Sequence, residues 1–103
     1  MKFNNQVTVG TTPVRGVESN TRRTSLTIFN NSTSATVYYG ADPSVTTENG
    51  MVILPQTGWS FLSGMGDDPT TEFYLVSDVA GADVRVSEGY ADGMRYKDNR
   101  GDE

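Results

Sequence analysis

Residues 23–30, Arg23-Thr24-Ser25-Leu26-Thr27-Ile28-Phe29-Asn30, alternate in the way that decides the fold. Successive side chains of an extended chain point to opposite faces, so Leu26 and Ile28 share one side and Ser25, Thr27 and Phe29 the other. β-Branched and aromatic residues suit such a surface, and Ser19-Asn20-Thr21 ahead of the run is turn chemistry. A strand with one apolar and one mostly polar side fits an antiparallel sheet that buries a single face.

The same period recurs on both sides of this run. Upstream, Gln6 to Val9 places Val7 and Val9 together. After Thr11-Thr12-Pro13, Val14 to Glu18 resumes, with Gly16 as a site for a bulge. Downstream, Asn31-Ser32-Thr33-Ser34 reads as a hairpin connection to Ala35–Gly40, where Tyr38 opposes Val37 and Tyr39. Ala41 to Gly50 is a polar excursion. Met51 to Leu54, Trp59-Ser60-Phe61, Glu72 to Ser77 and Asp83 to Tyr90 complete the set, separated by turn-rich segments. Apolar residues nowhere recur at helical spacing. The pattern predicts an all-β domain over residues 1–90. It is a compact antiparallel β-sandwich or jelly-roll-like barrel of about eight short strands. Residues 91–103 lose the period and read as a flexible, polar C-terminal tail.

Composition narrows the chemistry. With 103 residues the chain suits one domain, and 35% hydrophobic residues with 11 Gly suit short strands joined by tight turns. There is no Cys and no His. Disulfides, thiolate metal sites and the commonest general base at neutral pH are therefore excluded, and no enzyme is expected. The net charge of −5, with no basic cluster beyond Arg22-Arg23, speaks against nucleic acid as a partner. No apolar run reaches membrane-spanning length, and the polar start at Met1-Lys2-Phe3-Asn4 lacks a secretory core. A soluble protein made in a cytoplasm is expected, without cofactor or metal.

Several local features invite a function. Asp67-Asp68 with Glu72 beyond could hold Ca²⁺ or form a hydrolase pair, but Asp-Asp-Pro is ordinary turn chemistry and no calcium-loop spacing is present. Gly64-Met65-Gly66 has no following helix or Lys to make a phosphate cradle. Asn30-Asn31-Ser32-Thr33 overlaps two glycosylation acceptors, which read as hairpin polar residues. Arg22 and Arg23 could meet an acidic partner or simply start a solvated strand. Tyr38, Trp59 and Tyr74 could stack on a sugar or serve as core and subunit contacts.

One resemblance rests on five segments in order: Val7-Thr8-Val9-Gly10-Thr11-Thr12; Arg22-Arg23 with Ile28, Asn30 and Asn31; Val37-Tyr38-Tyr39-Gly40; Val45 to Pro55; and Asp83-Val84-Arg85-Val86-Ser87-Glu88. In this order they resemble a small β-sandwich module of tailed-bacteriophage structural proteins, over about residues 6 to 90. Phe29 departs from the polar residue expected at its place. The resemblance implies a non-enzymatic virion protein on the capsid surface. Its first form is a decoration (cement) protein that binds the major capsid protein of the assembled head as a homo-oligomer, a trimer favoured. The alternatives are a head-fibre or tail accessory domain, or a carbohydrate- or receptor-binding module. The candidate residues for partner contact are Arg22, Arg23, Phe29, Tyr38, Trp59, Tyr74 and, in the tail outside the resemblance, Tyr96.

Overall fold

The computed structural model describes residues 2–65 and 68–90. Among these residues eight strands follow one another: β1 (Lys2–Val9), β2 (Val14–Val17), β3 (Arg23–Asn30), β4 (Val37–Gly40), β5 (Met51–Ile53), β6 (Gly58–Leu62), β7 (Phe73–Ser77) and β8 (Ala82–Tyr90). The loop after β6 carries one short 3₁₀ turn, Ser63–Met65. Among the described residues no helix is long and apolar enough to cross a membrane.

The pairing is nested. The first strand pairs with the last, the second with the seventh, the third with the sixth and the fourth with the fifth, all antiparallel. Two further ladders, β3 with β8 and β4 with β7, roll this long ribbon into two four-stranded sheets, ordered β1-β8-β3-β6 and β2-β7-β4-β5. That is the strand order of a jelly roll, in which every connection but the one from β4 to β5 crosses between sheets.

Alternation builds the core. Leu26 and Ile28 of β3, Val84 and Val86 of β8, Val37 of β4, Ile53 of β5 and Leu75 of β7 all lie between the sheets with 1% exposure or less. Each such side chain contributes about 1.5–3 kcal/mol by leaving water. Tyr39, Phe61 and Phe73 add an aromatic cluster toward β6. Phe61 stacks on Phe73 at 5.0 Å, and Tyr39 meets both edge-on.

Three expectations change. The Asn31–Ser34 segment is not a hairpin, because β3 and β4 belong to different sheets and do not pair. Asn30 makes the crossover: its buried amide donates to the carbonyls of Ala35 (2.7 Å) and Ile53 (3.0 Å), and its oxygen accepts from the Ser32 N–H. Asn30 is therefore core, not a hairpin polar residue or an accessible glycosylation acceptor. Second, β1 begins at Lys2, four residues before the alternation is visible. Third, the excursion over residues 41–50 is not merely solvated. Val45 is buried on the outer face of the second sheet, against Gly40 and Gly50, where an added Cβ would come within 2.9 and 2.8 Å of its side chain. The tail at 91–103 lies outside the described residues.

Candidate functional site

At the end of the sandwich near Tyr90, Arg23 is a structural clamp. The residue is 2% exposed, and its guanidinium donates to four acceptors. These are the carbonyls of Pro69 (2.5 Å), Glu18 (2.9 Å) and Thr71 (2.8 Å) and the Glu88 carboxylate (2.9 Å). The Tyr90 hydroxyl donates to the same Glu88 oxygen at 2.7 Å. Three segments distant in sequence are thus tied to β8, beside a polar cleft of about 400 Å³ lined by Asn5, Arg15, Asn20 and Glu88 among others. The expectation that Arg23 is solvated or meets a partner is corrected, since its donors are spent on the chain's own backbone. Arg22 beside it is exposed, and its N–H donates to the Asn20 side chain.

The second site is the seam where the edge strands β5 and β6 face each other across the two sheets. Trp59 closes it from β6: its indole N–H donates to the Val52 carbonyl of β5 at 2.9 Å, and its ring meets Tyr39 edge-on at 6.1 Å. Around this bridge Met51, Val52 and Leu54 stand 51%, 43% and 57% exposed, with Trp59 itself at 40% and Leu62 further along β6 at 45%. Exposed apolar side chains gathered at one edge of a sandwich are what a protein contact uses.

Comparison with protein-family models, curated proteins and solved structures finds no match to this chain.

The third surface is the outer face of the first sheet. Asn4, Gln6 and Thr8 of β1 stand beside Ser87, Arg85 and Asp83 of β8, and Thr27 and Phe29 of β3 follow. Asp83 is the fixed point: it accepts from Arg85, Asn31 and Gln6, which together hold its carboxyl far below the usual carboxylate range. Phe29 is half-buried here and lies over Gly58, whose missing Cβ leaves room for the ring.

Tyr38 and Tyr74 lie half-buried on the outer face of the second sheet, on neighbouring strands. Trp59 sits at the seam instead, so the three aromatics do not form a single flat platform. Tyr96 and Asp67 lie outside the described residues. Asp68 accepts from the Thr70 N–H and hydroxyl of its own turn, and Glu72 is 3.6 Å from Arg15. These contacts match a solvated turn. Sequence reasoning missed Met51, Val52 and Leu54 because an apolar strand residue reads as core unless its strand is known to lie at an edge.

Proposed function

We propose that this chain is a capsid decoration protein of a tailed phage, which docks on the major capsid protein of the assembled head through the β5–β6 seam. The observation that carries the reading is the exposed strip of Met51, Val52, Leu54 and Trp59 on a rigid two-sheet body. The five ordered segments that resemble phage β-sandwich modules support it. A decoration protein needs a fixed shape and one contact surface, and the seam supplies both. Binding to the assembled shell and not to loose subunits stabilises the shell by mass action.

The test uses heads of the phage that encodes the chain, stripped of this protein. The purified protein should co-sediment with them to saturation and raise the temperature at which they rupture. Met51→Asp with Leu54→Asp should abolish both effects while leaving the fold intact, because both side chains are already exposed. Absence of the protein from virions, or no binding to stripped heads, overturns the proposal.

A further inference from the structure

The two sheets have four edge strands, β1 and β6 in one and β2 and β5 in the other. A free edge is a row of backbone donors and acceptors open to another strand, and proteins blunt such edges with short length, charge, proline or bulges. Three of the four are blunted here. Strand β2 has four residues, breaks register between Arg15 and Val17, and carries the exposed Arg15. Strand β5 has three residues, and its Val52 carbonyl is taken by Trp59. Strand β6 has five, the first of them Gly58.

Among the described residues, strand β1 has none of these devices. It runs eight residues, holds register with β8 at every position, and has no charge, Pro or Gly from Phe3 to Val9. We infer that the free edge of β1 pairs antiparallel with the β1 of a second copy about a two-fold axis, making one continuous eight-stranded sheet.

The sequence of the edge selects a second copy as the occupant. An axis perpendicular to the sheet keeps core-facing residues opposite core-facing ones only if it passes through a residue position. Centred on Gln6, it lays the uncharged run Phe3–Val9 onto itself and leaves Lys2 beyond the paired segment. Asn4 then faces the partner's Thr8 on the outer face, amide against hydroxyl. The first charges inward from that edge, Asp83 and Arg85, are already paired with each other at 2.9 Å. For a chain of net charge −5, this is a stripe along which two copies meet without like-charge repulsion. Such an interface closes at two copies, not at the three that the phage resemblance favours. It lies on the opposite side of the sandwich from the β5–β6 seam, so it stands independently of head binding.

The test is the oligomeric state of the intact protein by sedimentation equilibrium. The wild type should reach twice the 11.2 kDa of the chain. Asn4→Lys with Thr8→Lys, and separately Asn4→Glu with Thr8→Glu, should each be monomeric with an unchanged circular dichroism spectrum. Mixed together, the two variants should restore a dimer containing one chain of each. A wild type that stays monomeric up to about 1 mM overturns the inference. So does a trimer, a dimer indifferent to the like charges, or failure of the mixture to associate. A β1 edge whose amides become protected from exchange only when a different protein is added assigns it to a foreign strand, and also overturns it. None of these readings depends on whether heads are bound.

Discussion

Arg23 and Glu88 meet at 2.9 Å inside the sandwich, with side chains 1% and 14% exposed, although 65 residues separate them in the chain. The ion pair is only part of the arrangement, because the same guanidinium holds three backbone carbonyls from two loops. Removing it strands a carboxylate and three acceptors together. Arg23→Met should cost about 3–5 kcal/mol in urea unfolding, the range for breaking a buried pair. Glu88→Met added to it should restore little, since the carbonyls remain without donors. Full recovery in the double variant would show that the pair, and not the clamp on the loops, is what matters.

Asn30 offers a sharper case. Its amide satisfies Ala35 and Ile53 at the point where the chain leaves one sheet for the other. Asn30→Ala should destabilise by about 2–3 kcal/mol, the cost of leaving buried acceptors unpaired. Asn30→Asp should be worse, because it sets a charge against the same two carbonyls. Thermal unfolding of the three proteins side by side gives the ranking.

Gly50 lies under Tyr38 and Val45, where a Cβ would come within 2.7 and 2.8 Å of their side chains. Gly50→Ala should lift the 41–50 segment off the second sheet and cost about 1–3 kcal/mol. Faster amide exchange confined to that segment is the expected signature, and a uniform change across the domain would contradict it.

Stability should fall at both ends of the pH scale for different reasons. Arg85, Asn31 and Gln6 hold the Asp83 carboxyl low, so the folded state resists its protonation. That contribution is full at neutrality and is lost as pH falls below the ordinary carboxylate value of about 3.9. For Tyr90, burial and then the hydrogen bond to Glu88 raise the phenol. Its contribution holds below about pH 10 and is lost as pH rises past it. In a series of melting temperatures, Asp83→Asn should flatten the acid limb and Tyr90→Phe the alkaline one.

Trp59 is the only tryptophan, so its fluorescence reports on the seam directly. Trp59→Phe keeps an edge-on ring against Tyr39 and loses the bond to Val52, at a cost of about 1 kcal/mol. In the wild type, docking on a head should shift the emission to the blue as the indole leaves water.

Alternation told most of the fold. The inward sets Leu26 and Ile28, or Val84 and Val86, stand where their periods place them. The same phase, carried one step further, puts Asn30 and Glu88 inside as well; a core-facing carboxylate demands a cation, so the clamp was half legible. Arg23 was not, because register shifts between Arg23 and Ser25, and this reverses the phase at the start of β3. Strand partners were hidden for another reason. Neighbours in sequence usually pair, and Asn31–Ser34 is polar enough for a hairpin, but the rolled ribbon sends β3 and β4 to different sheets. Val45 and Val76, on the wrong phase or within a loop, are buried by the 41–50 segment folding back.

The nesting of first strand with last has a consequence for biosynthesis. Strands β7 and β8 occupy the second place in their sheets, each between two strands made much earlier. Until the ribosome has released Ser77, β2 and β4 share no neighbour, and until it has released Tyr90 neither do β1 and β3. A nascent or truncated chain therefore exposes two gapped sheets with raw inner margins, and completion is a late insertion of both central strands. Its cooperativity is that of an arch whose keystones are laid at the end.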